Sequence, residues 1–252
     1  MSKSRTTTAL VTGAARRIGA CIAETLHARG CRVFLHYQSS SQQVNELADR
    51  LNQQRADSAV VVQADLGQME SLDKMVAQIQ SRTDHLDLLV NNASQFFPTA
   101  VGSTTEKQWA ELMDSNLKGA YFLTQALLPE LSVGGGSIVN LLDVHANRPM
   151  PGHAVYSAAK AAMQMMTLAL AKELGPAIRV NGVAPGAILW PEQEQSSNEQ
   201  SSREQREILD KTVMKKAGSA GDIASAVAYL GLDAPYVTGQ ILAVDGGRSL
   251  NI

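Results

Sequence analysis

Aromatic side chains are scarce in this chain of 252 residues: four Phe, five Tyr and two Trp. Any core must therefore be built from aliphatic side chains and alanine. Cysteine is scarcer still. Cys21 and Cys31 are the only two, and they supply neither a disulfide framework nor a metal knuckle. Both read as core residues rather than reactive thiols. No apolar run approaches the roughly 18 residues a membrane span requires, and Met1–Thr8 is too polar for a signal peptide. Neither sign of charge dominates. With 22 Lys plus Arg against 24 Asp plus Glu, the net charge of −2 argues against a nucleic-acid binder working by bulk charge. No cluster of His, Cys, Asp or Glu has metal-ligand spacing, so no metal is expected. The expectation is a soluble, cytoplasmic protein, with no nucleic acid and no membrane among its partners.

What is present is alternation. Strand-like runs occur at Thr7–Val11, Arg32–His36, Ala59–Gln63, Leu86–Val90, Ser137–Leu141, Ile178–Val183 and Ile241–Val244. The first helical pattern has Ile18, Ile22 and Leu26 on one face and stops at Gly30. Further helical patterns lie near 41–54, 68–82, 105–131, 153–174, 203–215 and 220–231. Strands alternating with helices form βαβ units, so the fold class is α/β: one domain over 1–252, with a doubly wound seven-stranded parallel sheet and helices on both faces. Pro191–Glu207 stands apart because it contains no aliphatic or aromatic residue. It cannot offset its ordering entropy by apolar burial, and its place after the sixth strand suits a mobile substrate lid over about 190–215.

Thr12-Gly13-Ala14-Ala15-Arg16-Arg17-Ile18-Gly19 joins the first strand to the first helix. A glycine-rich turn there lets the backbone approach a pyrophosphate, whose charge meets the helix N-terminus. Arg17 occupies the place of a middle glycine. The second strand runs into His36-Tyr37-Gln38-Ser39, and no acid occurs between Glu24 and Glu46. An acid in that region would hold the ribose hydroxyls of NAD. Hydroxyls, the His, and Arg16 or Arg17 instead suit the 2′-phosphate of NADPH. Asp65-Leu66, after the third strand, is placed to touch the adenine.

Tyr156 and Lys160 stand four apart on one helix, which puts phenol and ammonium on the same face. A nearby cation lowers a phenol's pKa from about 10 toward a value useful for proton transfer. Other features accompany the pair. Asn91-Asn92-Ala93 follows the fourth strand, and Asn116 lies in the next helix. Arg179–Asn181 and Pro185-Gly186 surround the sixth strand, with Ile188 just beyond. Thr238-Gly239-Gln240 and Asp245-Gly246-Gly247 close the chain. In this order the set resembles the short-chain dehydrogenase/reductase family over essentially the full length. The resemblance implies a Rossmann fold, Tyr156 as proton donor, Lys160 on the nicotinamide ribose, and Asn116 holding the water of a proton relay. It also implies a homotetramer built through the helix carrying Tyr156 and the one before it. Met163, Met165 and Met166 on that helix suit either an interface or core gap-filling.

Position 143, thirteen residues before Tyr156, is Asp where most of the family has Ser. An ionised Asp there would repel the oxyanion formed when a carbonyl takes hydride. It suits a ring nitrogen that must be protonated as its neighbouring carbon is reduced. Asp143, Arg16-Arg17, His36-Tyr37 and Asn92-Ala93-Ser94-Gln95-Phe96 together resemble the pteridine reductase branch, which reduces pterins and folates with NADPH. For the site this implies Phe96 stacked on the pterin, Ser94 and Arg17 bonding pterin or phosphates, and Asp143 with Tyr156 flanking the reacting nitrogen. Phe97 could exchange roles with Phe96. His145 and His153 bracket the active-site loop and read as surface or loop residues. Two rivals remain: a ketone or 3-oxoacyl reductase of the same fold, and a non-catalytic NADP-binding regulator.

Overall fold

The computed structural model describes residues 5–188 and 199–252. Seven strands form one parallel sheet: β1 (Thr8–Val11), β2 (Arg32–Tyr37), β3 (Ala59–Gln63), β4 (Leu88–Asn91), β5 (Ser137–Leu141), β6 (Arg179–Pro185) and β7 (Ile241–Val244). Their spatial order is β3-β2-β1-β4-β5-β6-β7. The order reverses direction between β1 and β4, and in sheets of this kind the ligand crevice opens at the carboxyl ends beside that point.

Alternating side chains send each strand's residues to two cores. Ala9 and Val11 of β1, with Val33 and Leu35 of β2, face the layer of α1 (Arg17–Ala28), α2 (Ser41–Gln54) and, toward the chain end, a helix over Ala220–Ala228. Leu10 and Phe34 face the opposite layer. That layer holds α3 (Met69–Gln80), α4 (Glu106–Met113), α5 (Gly119–Ala126), α6 (Leu128–Ser132) and α7 (Ala154–Leu174). Phe34 is the one phenylalanine fully buried. The remaining α-helices among the described residues are α8 (Glu199–Lys211) and α9, the Ala220–Ala228 segment.

The structure departs from the sequence reading in three places. The single helix expected over 105–131 is broken by a π-turn at Asp114–Lys118 and again at Leu127, just before Pro129. One extra residue in a π-turn leaves the apolar spacing looking continuous. Second, the expected lid segment falls partly outside the described residues. From Glu199 onward it is helix α8, because Glu, Gln and Arg are strong helix formers even without apolar partners. Third, Phe122 lies in a helical pattern where packing is expected to explain a phenylalanine, yet it joins no core and stays exposed on α5, edge-on to Tyr121.

Candidate active site

The first wall of the site is the turn after β1. Thr12 holds it to the end of β4: its Oγ1 accepts from the backbone N–H groups of Asn92 and Ala93, both at 2.9 Å. Asn92 Nδ2 returns bonds to the carbonyls of Thr12 and Gly13. Gly13 has φ +63°, and a Cβ at Gly19 would run into the Gly13 carbonyl. Only glycine fits a turn packed this closely. Arg17 also lies in the left-handed region, at φ 56°. A non-glycine residue there carries strain of about 1 kcal/mol. The N-terminus of α1 has neither a side-chain cap nor an acid in its first turn. The N–H groups of its first turn, on the same wall as Arg16 and Arg17, fit a bound phosphate.

His36 does not act as the sequence reading supposed. Its Nδ1 accepts from the Gly13 N–H at 3.1 Å, and its Nε2 lies 3.1 Å from the Ala64 carbonyl. Burial pushes its pKa down to about 4, so the ring is neutral near pH 7. A neutral imidazole committed to backbone on both sides cannot offer charge to a phosphate. It props the glycine turn, and the charge on this wall comes from Arg16 and Arg17.

The second wall is carried by β5 and α7. Tyr156 Oη donates to Asp143 Oδ2 at 2.7 Å, and Asp143 Oδ1 accepts from the His145 N–H at 2.8 Å. Tyr156 is almost fully buried. Burial first, then the charge and hydrogen bond of Asp143, raise its pKa above that of an ordinary phenol. The expectation that Lys160 would lower it fails, because the nearer charge is the carboxylate. Lys160 is buried, donates from Nζ to the Leu141 carbonyl at 2.9 Å, and lies 5.7 Å from the Tyr156 ring centre. Burial brings its own pKa down to about 8, against an opposing pull from Asp143.

Asn116 sits inside the π-turn. Its Nδ2 donates to the carbonyls of Gln95 (2.9 Å) and Leu112 (3.0 Å), tying the turn to the loop that carries Ser94 and Phe96. Phe96 is half exposed. One face stacks on His153 with centroids 4.6 Å apart, and its ring meets Tyr156 edge-on at 4.8 Å. Phe97 packs with Leu112 and Val155, so the two phenylalanines do not exchange roles.

These walls enclose one cleft of about 1290 Å³. It brings together the Gly13–Gly19 turn with Arg16, Arg17 and Ile18, then His36, Tyr37, Gln38 and Ser39, and Asp65 with Leu66. Asn92, Ala93, Ser94, Phe96, Asp143, Tyr156, Gly186 and Ile188 of the expected set also line it. Lys160, Asn116 and Pro185 are not on the cleft wall, the first two being buried behind it. His153 and Arg248 line the cleft without having been assigned there from sequence. A ring three residues before Tyr156, and a cation directly after Gly246-Gly247, were the available signals.

Over residues 13–249 the chain matches the family model described as enoyl-(acyl carrier protein) reductase. The chain belongs to the short-chain dehydrogenase/reductase family. It is therefore an oxidoreductase with that family's sheet and nucleotide-binding turn. Within the family it is 35% identical to pteridine reductase 1 of Leishmania tarentolae, with 96% of each chain covered. It is also 35% identical to an oxidoreductase of Bacillus subtilis, over 95% of this chain and 98% of that one. A 3-oxoacyl-(acyl-carrier-protein) reductase of Staphylococcus epidermidis is 33% identical, over 95% and 97%. Identity alone does not separate these dehydrogenase/reductase relatives, so the substrate must be argued from the site.

Proposed function

We propose that this protein is an NADPH-dependent pteridine reductase acting on dihydropterins or dihydrofolate. The observation that carries the reading is the Tyr156–Asp143 hydrogen bond of 2.7 Å. A reductase of carbonyls needs neutral or positive donors facing the oxygen that gains charge. A carboxylate beside the phenol opposes that charge but suits a basic nitrogen. Bound NADPH would supply a hydride to an imine carbon of the pterin ring. Tyr156 gives its proton to the adjacent nitrogen, and Asp143 orients the phenol and stabilises the protonated ring beside it. Lys160 holds the β5 end and α7 in register behind the phenol.

Cofactor choice rests on Arg16 and Arg17 at the cleft wall and on the lack of an acid between Glu24 and Glu46, around the end of β2. A guanidinium pairs with a 2′-phosphate, and an acid would repel it. The free face of Phe96 offers the pterin a stacking surface, worth roughly 0.5–1.5 kcal/mol beyond area burial. Gln205 and Ile208 of α8 also reach the cleft, which supports a substrate-covering role for the segment over 190–215.

Assembly into a homotetramer is part of the same reading. Trp109 on α4, Tyr121 and Phe122 on α5, and Met165 and Leu168 on α7 remain exposed, whereas Met163 is core. Exposed large apolar side chains on adjoining helices suit burial against a second copy. Following NADPH absorbance with dihydrobiopterin, dihydrofolate and an acetoacetyl thioester side by side tests the function. Turnover of the thioester alone would give the protein to the carbonyl reductases, and no turnover would favour a regulator.

A further inference from the structure

Arg248 is 9% exposed and lines the cleft that holds Asp143 and Tyr156, yet its Nη1 has no hydrogen-bond partner among the described residues. A buried guanidinium N–H left without an acceptor is costly, and structural arginines avoid that state. Arg179 in the same chain shows the contrast: its Nη1 donates to the Leu230 carbonyl at 2.7 Å and its Nη2 to the Gly231 carbonyl at 2.8 Å.

The backbone around Arg248 is fixed with some care. Asp245 caps the turn, its two carboxylate oxygens accepting from the N–H groups of Gly247 and Ser249, both at 2.8 Å. Gly246 and Gly247 have φ +61° and +79°, conformations that favour glycine. Asn251 Nδ2 donates to the Lys211 carbonyl at the end of α8, and Met214 N–H donates to the Gly246 carbonyl. The turn is thus tied to the segment beyond β6, and it places a cation beside the cleft's only buried proton-transfer pair among the described residues. Burial weakens the charged form of Arg248, while the carboxylates of Asp143 and Asp245 support it. No ion pair joins Arg248 to either of them at contact distance.

We infer that Arg248 is a substrate-contacting residue that donates to an oxygen acceptor of the ligand bound beside Asp143 and Tyr156. The inference deepens the pteridine reading and rests on it for the identity of that oxygen. Two oxygens of such substrates have the required chemistry. One is the ring carbonyl, shared by dihydrobiopterin and dihydrofolate, and adjacent to the nitrogen that takes the proton. The other is the carboxylate tail of dihydrofolate alone. An acceptor in either place completes the arginine and discriminates against ligands lacking it, because the buried donor is then left unpaired.

The test compares the wild type with Arg248→Met and Arg248→Lys at saturating NADPH, measuring kcat and KM for both substrates and the Kd of NADPH. Loss of a charge-assisted bond formed equally in the ground and transition states should raise KM roughly 10- to 100-fold in the Met variant. kcat should stay within about threefold, the NADPH Kd within about twofold, and the Lys variant should recover part of the loss. Equal losses for both substrates assign the ring oxygen, and a loss confined to dihydrofolate assigns the carboxylate. Unchanged KM for both, or NADPH binding weakened as much as substrate binding, overturns the inference. If the wild type reduces only the acetoacetyl thioester, the pteridine reading fails, and the same KM comparison on that thioester still decides Arg248. Without turnover of any substrate, calorimetric binding of the three ligands replaces KM, and no binding of any overturns both.

Discussion

Tyr156 donates its only hydroxyl proton to Asp143, at 2.7 Å, from a nearly buried ring. Burial and then the neighbouring carboxylate raise the phenol above its ordinary value, so the proton rests on Tyr156 and points at Asp143. Tyr156→Phe removes the proton and leaves the ring that packs against Phe96. Its kcat should fall roughly 100- to 10,000-fold, the usual contribution of a positioned general acid. NADPH affinity, measured by fluorescence titration, should change by less than about threefold. Comparable losses in rate and in binding would remove Tyr156 from the role of proton donor.

Replacing Asp143 by the family's commoner residue separates the two candidate chemistries. Asp143→Ser takes a carboxylate away from the place where a reduced carbonyl would build negative charge. Turnover of dihydrobiopterin should drop about 100-fold, while any activity on ketones or an acetoacetyl thioester should hold or rise. The ratio of the two kcat/KM values is the readout. An unchanged ratio would mean that Asp143 has no part in choosing between C=N and C=O.

His36 gives stability a defined acid limb. Its folded pKa is pushed by burial from 6.5 to about 4. The unfolded chain therefore takes up a proton near pH 6.5 that the folded protein refuses until about pH 4. Stability from this residue is complete above pH 6.5 and is lost as pH falls toward 4, by an amount on the order of 3 kcal/mol. His36→Gln carries no such titration. It should be less stable than wild type at pH 7.5, through loss of the Gly13 bond, and the gap in Tm should narrow or reverse by pH 5. A gap independent of pH would show that His36 is not held neutral.

Arg17 combines a left-handed backbone with a place on the cleft wall. Its φ of 56° belongs to glycine, so Arg17→Gly should relieve about 1 kcal/mol of strain and raise Tm by about 2–4 °C in a chain of this size. The same change removes a guanidinium from the cleft wall and, on the proposed cofactor reading, should weaken NADPH binding by at least about tenfold. A variant that melts lower, or binds NADPH as well as wild type, contradicts this account of the turn.

Much of the fold was legible because each element announces itself locally. The period-four stripe Ile18, Ile22, Leu26 marks α1, and the apolar runs of β1 and β2 mark strands buried on both faces. That Tyr156, Asp143 and the glycine turn share one cleft was legible because each stands at a strand end or helix start on the carboxyl side of the sheet. What was hidden depends on approach between distant segments. His36 looked like a phosphate ligand until Gly13 and Ala64 claimed both its nitrogens. Lys160 looked like the tuner of Tyr156, yet the group bonded to the phenol lies thirteen residues upstream. The π-turn that aims Asn116 at the Gln95 carbonyl preserves the apolar period of its neighbours, so no pattern betrays it. The stacking of His153 on Phe96 joins residues far apart in the chain, and no periodicity links them.

The central claim is hydride delivery to a ring carbon whose neighbouring nitrogen is protonated by Tyr156 and Asp143. It is tested most directly with NADPH deuterated at the nicotinamide C4 and 7,8-dihydrobiopterin as acceptor, reading the product by NMR. Stoichiometric deuterium at C6 of tetrahydrobiopterin is the expected result, with solvent hydrogen on the adjacent nitrogen. Label that appears only in the alcohol of a reduced 3-oxoacyl thioester, and never in the pterin, would contradict it.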